Sequence, residues 1–456
     1  MTEPAAPLPL VRLPDGTVKQ VSPLTGTVVW TVPGRAHRPL SAPTPDPHPI
    51  DPDADGRHCA FCSGRYLETP PEKTRVVVGP DGAAVLRDLS AEQLTDTVAE
   101  LRRIPNLFEI VSVGYWRANY GYQVPDEVRA RAATYLATPL GRDHVLAILR
   151  RRLASQGVSD DEWTAVPEAS RLERAVDLFA GTHDVVVARR HFVDGATQDD
   201  QLAGSGTLTV AEHRRYVGFT VDTMRDLYAS QPHARYVSVF QNWLRPAGAS
   251  FDHLHKQLVA IDEHGPRTDR VLARLHQDPQ VFAGVLEHAF ANRLVVAQGA
   301  HAVAVAGVGY RYPSLEVWSA SPDRLPWEHD DDEVGGVSDL LHALHAASGT
   351  AVPTNEEWHH RPPGIAEPMP WQIVLKWRVF TLAGFEGGTK INVNTLAPAT
   401  LRERVVAELH RLRDAGAVAG MRIGDECRPG AQENVQVPDA PGPDGAPGRS
   451  VGNGWV

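Results

Sequence analysis

Three short segments carry residues whose types and spacing suit chemistry. Gly248-Ala249-Ser250-Phe251-Asp252-His253-Leu254-His255-Lys256-Gln257 places two imidazoles two residues apart. In an extended segment side chains alternate between faces, so His253 and His255 share a face, where one can bind a metal ion and the other attack a substrate. Cys59-Ala60-Phe61-Cys62 has the spacing that lets two thiolates take adjacent corners of a tetrahedral zinc site. The remaining ligands must then come from distant histidines, with His253 and His191 as candidates; a redox pair or two buried thiols is the competing reading. Pro33-Gly34-Arg35-Ala36-His37-Arg38-Pro39 sets Arg35 and Arg38 beside a turn, and guanidinium forks suit phosphate oxygens.

The elements that position these residues are read from pattern. A chain of 456 residues exceeds the length at which one core stops growing, which predicts two packed units. A hydrophobic content of 42% with 22% charged residues, and no apolar run near the ~18 residues of a membrane helix, predicts a soluble protein. Met1 to Pro9 carries acid and prolines where a secretory leader has a basic then an apolar stretch, which predicts the cytoplasm. Three cysteines argue against a disulfide framework, and Cys427 has no visible partner. The net charge of −11 gives no general attraction for nucleic acid or an anionic membrane, so an anionic substrate must be met by individual arginines.

Tyr236 to Trp243, Gln257 to Asp262, Ala302 to Tyr310 and Trp371 to Thr381 read as strands. Helices are predicted from about Thr209 to Tyr228 and from Leu401 to Leu412, the latter with Thr400 and Glu403 spaced as a capping box. Strands grouped with helices, without βαβ alternation, predict an α+β fold with largely antiparallel sheets. No Walker or Rossmann glycine loop is apparent. Residues 41–56 read as a surface loop, and the proline- and glycine-rich stretch 438–456 as disordered.

Taken in order, these segments resemble the galactose-1-phosphate uridylyltransferase branch of the histidine-triad superfamily. Ser22-Pro23-Leu24-Thr25-Gly26 through Pro39 is similar to the opening strand and its phosphate-binding arginines, Arg35 and Arg38. Cys59 and Cys62 stand at the zinc pair, and Val185 to His191 resembles the strand that ends in the third ligand, which selects His191 over His183. Asn106, in Pro105-Asn106-Leu107-Phe108, stands at a nucleoside contact. Val239-Phe240-Gln241-Asn242 followed by Gly248, Ser250, His253, His255 and Gln257 reproduces the active-site strand and loop. The resemblance makes His253 the fourth zinc ligand and His255 the nucleophile, with Asn242, Ser250 and Gln257 bonding the reacting phosphate. Gln257 points to a nucleotidyltransferase, since hydrolytic members usually carry histidine there. Ala383-Gly384-Phe385-Glu386-Gly387-Gly388-Thr389 resembles the sugar-contacting loop, which makes Glu386, and secondarily Asn392, sugar contacts reached across a homodimer.

The resemblance implies two histidine-triad-like domains, each a largely antiparallel sheet flanked by helices. The catalytic one spans 1–265 with a helical insertion near 124–178, the second spans 266–425, and 426–456 forms a disordered tail. It implies one structural zinc; Pro370-Trp371-Gln372 departs from the family's His-Trp-His, which speaks against a second metal although Asn355 and His359 resemble another part of that site. The implied activity moves a nucleoside monophosphate, UMP in the named family, between a nucleoside-diphosphate sugar and a sugar 1-phosphate through a nucleotidyl-histidine. The alternatives are a dinucleotide phosphorylase or hydrolase and a non-catalytic nucleotide-sugar binder.

Overall fold

The computed structural model describes residues 8–33, 47–321 and 325–429. Its strands, in chain order, are β1 (Leu10–Arg12), β2 (Val18–Val21), β3 (Val28–Thr31), β4 (Thr74–Gly79), β5 (Gly82–Arg87), β6 (Leu101–Pro105), β7 (His183–Ala188) and β8 (Tyr236–Trp243). They continue with β9 (His255–Ile261), β10 (Val295–Gln298), β11 (Ala302–Ala306), β12 (Ser314–Ser319), β13 (Thr354–His359), β14 (Gln372–Trp377), β15 (Ile391–Asn394) and β16 (Arg422–Ile423). Twelve of them form one sheet in the order β16-β10-β11-β12-β14-β13-β8-β9-β7-β6-β4-β5, with every pairing antiparallel. The other four form a small sheet, β1-β2-β3-β15. The architecture is α+β, with one large antiparallel sheet flanked by helices and a small sheet in which β15 runs parallel to β3; the α+β class is as the sequence predicts.

β8 shows how the sheet separates its faces. Val237, Val239, Gln241 and Trp243 are buried, while the alternate residues Ser238, Phe240 and Asn242 are half-buried on the other face. The buried face packs on a helical layer that includes Val210–Ser230 and Asp331–Ser348. Both helices start in capping boxes, Thr209 with Glu212 and Asp330 with Glu333, which satisfy backbone donors that would otherwise be orphaned. Directly behind the site strand, the Lys256 ammonium, fully buried, donates to Glu356 Oε1 at 2.6 Å and Gln241 Oε1 at 3.0 Å. His345 Nε2 and Trp358 Nε1 donate to the same Glu356 carboxylate at 2.7 and 2.6 Å. The lysine and histidine hold that carboxyl down to about 2 against the opposing effect of burial.

The stretch near 124–178, expected to be helical, forms helices Asp126–Leu136, Pro139–Ser155, Asp160–Ala165, Glu168–Ala175 and Asp177–Ala180. It has its own apolar core of Tyr135, Val145, Ile148, Leu149, Trp163 and Phe179. The late helix runs Pro398–Asp414, longer than predicted, and Ala397 is its N-cap. The expected Thr400–Glu403 capping box is therefore wrong: Pro398, whose fixed φ and missing N–H suit a first helical turn, starts the helix earlier. β11 and β14 end at Ala306 and Trp377, short of the predicted Tyr310 and Thr381. The described part of the expected tail is packed: Cys427 is buried, and Arg428 N–H donates to Gln298 Oε1 at 3.0 Å. Residues 430–456, Arg35, Arg38 and positions 41–46 of the expected loop lie outside the described residues.

Candidate active site and metal centre

β9 begins at His255, and the turn before it brings in His253. That turn follows β8 through Leu244, at φ 66, and Gly248, at φ 90, a left-handed conformation that glycine adopts without strain. Cys59 and Cys62 come from the loop before β4, and His191 from the loop after β7. One ligand atom from each of these four residues lies within 4.8 Å of all the others. Cys59 Sγ is 3.8 Å from Cys62 Sγ and 3.4 Å from His253 Nδ1; Cys62 Sγ is 3.8 Å from His191 Nδ1 and 3.7 Å from His253 Nδ1. Ligands at about 2.3 Å for sulfur and about 2.0–2.1 Å for nitrogen around one tetrahedral zinc put neighbouring ligand atoms roughly 3.5–3.8 Å apart, so the donor set fits that ion. His253 Nε2 donates to Ala188 O at 2.7 Å, which fixes the tautomer that aims Nδ1 at the thiols. The Cys62 thiol is held well below the usual range, first by the hydrogen bond from Cys59 and then, against burial, by His191 and His253; Cys59 is pushed up correspondingly.

His255 is 5% exposed, and its Nδ1 donates to His253 O at 2.7 Å. The proton thus sits on Nδ1 and the Nε2 lone pair is free. Burial lowers its pKa to about 4, so the imidazole is neutral at neutral pH. The Phe61 ring centroid lies 5.2 Å from that of His255 and 4.5 Å from that of Phe251. Phe61 also packs on Ile104, Val185 and Val187, giving the face beside His255 an apolar floor.

Hydrogen-bond partners orient the amide groups around His255. Ile110 N–H donates to His183 Nδ1 at 3.1 Å, so His183 carries its proton on Nε2 and donates it to Gln257 Oε1 at 3.0 Å. Asn106, whose Oδ1 accepts the Phe108 N–H, donates to the same Gln257 oxygen at 3.2 Å. With that oxygen occupied, Gln257 presents its NH₂. On the other side, Arg378 Nη1 donates to Asn355 Oδ1 at 2.5 Å, and Asn355 Nδ2 donates to Ala247 O and Asn242 Oδ1 at 2.7 and 2.8 Å. Asn242, too, is left with its NH₂ free. Strand register puts His255, Gln257 and Asn242 on one face of the sheet, so a neutral imidazole and N–H donors share that face, an arrangement suited to attack on an anionic phosphorus centre.

The structure thus brings together Cys59, Cys62, His191 and His253, and around His255 it gathers Gln257, Asn106 and Asn242. Ser250 is exposed on the turn and makes no hydrogen bond among the described residues. Glu386 and Asn392 belong to a different region. The predicted Ala383–Thr389 loop is a short helix, Gly384–Thr389, in which Glu386 caps Ala383 N–H at 3.0 Å; Asn392 is buried in β15 and donates to Val28 O at 3.2 Å. No second group of His, Cys, Asp and Glu with metal-binding geometry occurs among the described residues; near Asn355 and His359 the carboxylate Glu357 is taken by Lys376 at 2.6 Å.

Sequence reasoning missed His183 and Phe61. Strand parity was the available signal for His183, since it alternates with Val185 and Val187 on the face opposite Asp184 and Val186.

Residues 13–435 match the family described as a domain of unknown function, DUF4921. The chain belongs to that family. This DUF4921 protein is 25% identical over 390 residues to an ADP-glucose phosphorylase of Arabidopsis thaliana, covering 82% of the chain and 88% of the relative. The crystal structure of an ADP-glucose phosphorylase from Arabidopsis thaliana with bound ADP-glucose superposes with a TM-score of 0.54 at 19% identity, covering 85% of this chain and 97% of that one. A GalT-like protein of the same plant gives 0.54 at 18% identity over the same shares. The DUF4921 chain therefore has the GalT-like fold that the sequence resembles. No helix of the described residues is long and apolar enough to cross a membrane.

Proposed function

We propose that this protein transfers a nucleotidyl group from a nucleoside-diphosphate sugar to a phosphate-bearing acceptor through a nucleotidyl-His255 intermediate, with the catalytic residues in the part up to about 265 and the remainder, to about 425, framing them. The observation that carries this reading is the fixed tautomer of His255: Nδ1–H on His253 O, Nε2 bare, with Gln257 and Asn242 offering only donors. The similarity to an ADP-glucose phosphorylase supports the substrate class.

In the first step the Nε2 lone pair forms a bond to the α-phosphorus as the bond to the bridging oxygen breaks, and the electron pair leaves on the sugar phosphate. The Nδ1 proton stays on His255, and its hydrogen bond to His253 O strengthens as the ring gains positive charge. In the second step an acceptor phosphate oxygen attacks the same phosphorus and the N–P pair returns to Nε2. Gln257, Asn242 and Ser250 stabilise charge on the non-bridging oxygens, while Asn106 and His183 keep Gln257 in its donating orientation. Cys59, Cys62, His191 and His253 would hold a zinc ion, which would supply structure when bound. His253 would thereby be fixed, and with it the carbonyl that orients His255.

A uridylyl donor with a sugar 1-phosphate acceptor is the reading the family resemblance favours. An adenylyl donor with inorganic phosphate as acceptor is the second reading, favoured by the named relative. In a homodimer, Glu386 would reach the partner's sugar. The test is incubation with a panel of nucleoside-diphosphate sugars followed by intact-mass spectrometry and peptide mapping. One nucleotidyl adduct on His255 is expected, and its mass separates uridylyl from adenylyl; absence of an adduct with every donor overturns the covalent mechanism.

A further inference from the structure

We propose that the cavity end lined by Asn242, Asn355 and Arg378 binds the sugar-side phosphoryl group, the one that leaves with the sugar in the first step and attacks in the second. This rests on the nucleotidyl-transfer reading and adds to it a residue from the second half of the chain. The cavity has a volume of about 520 Å³ and opens on the half-buried face of β8, where Asn242 lies.

Two arginines without an ion-pair partner among the described residues line this cavity: Arg267, which donates to Gln372 Oε1 at 2.9 Å, and Arg378, which is the one held beside Asn355 and Asn242. Among the described residues no carboxylate lies within ion-pair distance of it; the nearby Glu357 is neutralised by Lys376, which donates to both its oxygens at 2.6 Å. Its guanidinium is nevertheless held firmly, by Nη1 on Asn355 Oδ1 and by its position over the Tyr312 ring, 4.5 Å from the centroid. Nε has no hydrogen-bond partner and Nη2 makes none among the described residues. Each carboxamide oxygen between Arg378 and the site is already engaged, so the cavity end offers N–H donors and one uncompensated positive charge. A phosphate dianion or phosphomonoester, of the kind displaced from a nucleoside-diphosphate sugar, is the ligand class that uses both. Because departure and attack follow the same path in opposite directions, one subsite serves both steps: the bridging P–O bond breaks or forms at Asn242 while the rest of the phosphate lies toward Arg378.

The test uses full-length, metal-loaded protein carrying the preformed nucleotidyl adduct, and follows nucleotide release with inorganic phosphate, with a sugar 1-phosphate, and with water alone. Water needs no phosphate subsite, so the informative quantity is the ratio of phosphate-dependent to water-dependent release. Arg378→Gln, which keeps a donor for Asn355, is expected to lower that ratio at least tenfold, and Arg378→Lys to lower it less. A fall with inorganic phosphate alone identifies that ion as the acceptor, and a fall with sugar 1-phosphate alone identifies the ester; either supports the subsite. An unchanged ratio, or equal slowing of both routes, overturns the proposal and assigns Arg378 a merely structural part. Failure of the wild-type protein to form any adduct overturns instead the transfer reading on which the subsite rests.

Discussion

The twelve-stranded sheet contains the same arrangement twice, and only one copy carries the candidate site. The run β6-β7-β9-β8 in the first half corresponds to β11-β12-β14-β13 in the second, and β6 and β11 have equal lengths, as have β7 and β12. β9 starts at His255, opposite Val187, the fifth residue of β7; β14 starts at Gln372, opposite Trp318, the fifth residue of β12. Counting on from those starts, Ile373 stands where the first half has Lys256, and Val374 where it has Gln257. An amide has no basic lone pair with which to attack phosphorus, and valine cannot donate to an oxyanion. Gln372 is instead spent on the protein, accepting from Arg267 and donating to Tyr310 and Glu316. Two regions with one backbone plan thus differ through a few residues at one strand's start, which places chemistry in side chains rather than in the fold.

The comparison breaks most sharply at its two central positions. His255→Ala is expected to reduce kcat by about 10⁴-fold or more while the metal stays bound, whereas Gln372→Ala changes it no more than about threefold; steady-state turnover with metal analysis decides, and comparable losses in both would end the distinction. Next in size is the cluster of Cys59, Cys62, His191 and His253, which could hold a metal ion and has no counterpart among the described residues of the second half. Cys62→Ser is expected to take metal content from one equivalent to none and to lower Tm by on the order of 10 °C, read by elemental analysis and calorimetry.

The buried charge behind the site strand comes third. Lys256→Met leaves Glu356 ionised without its strongest partner, a loss of roughly 3–5 kcal/mol in denaturant unfolding, while Ile373→Val at the matching position costs about 1 kcal/mol. Smaller again is His183→Ala, expected to lower kcat about tenfold through loss of the Gln257 orientation, with little change in metal content. The smallest effect concerns Glu109, which lies before the 124–178 stretch and pairs with Arg152 of that stretch. Glu109 is buried beside Gly181, where a Cβ would come within 2.6 Å of its carboxylate, and burial raises its pKa to about 7 despite Arg152 at 2.7 Å. The folded state therefore holds a proton that the unfolded state releases from about 4.5 upward, so this group's contribution to stability falls between about pH 4.5 and 7 and is level above. Glu109→Gln is expected to flatten that part of the stability–pH curve, and an unaltered slope would show that Glu109 ionises normally.

Much of the site was legible because its spacing is local. His253 and His255 two apart and Cys59 and Cys62 three apart each express geometry within a few residues, and Cys59, Cys62 and His253 meet in one cluster. What escaped depends on distant segments meeting. His183 and His191 are equivalent as residue types, and the resemblance chose between them; the physical reason is that His183 begins β7 and points to Gln257, whereas His191 lies beyond the strand's end, where the chain turns back to Cys62. The pairing of Asn355 with Asn242 joins residues more than a hundred positions apart and leaves no periodic trace. Thr400 and Glu403 misled for the opposite reason: a correct local spacing was overridden by a proline two residues earlier.

The seam between β8 and β13 lies in the middle of the continuous sheet, with the register Asn242 to Asn355 and Phe240 to Glu357. Backbone amides there are enclosed by five strands on either side, so solvent deuterium reaches them only when most of the sheet has opened. The slowest-exchanging amides of β8 and β13 should therefore share one opening free energy, and the two halves should behave as a single cooperative block.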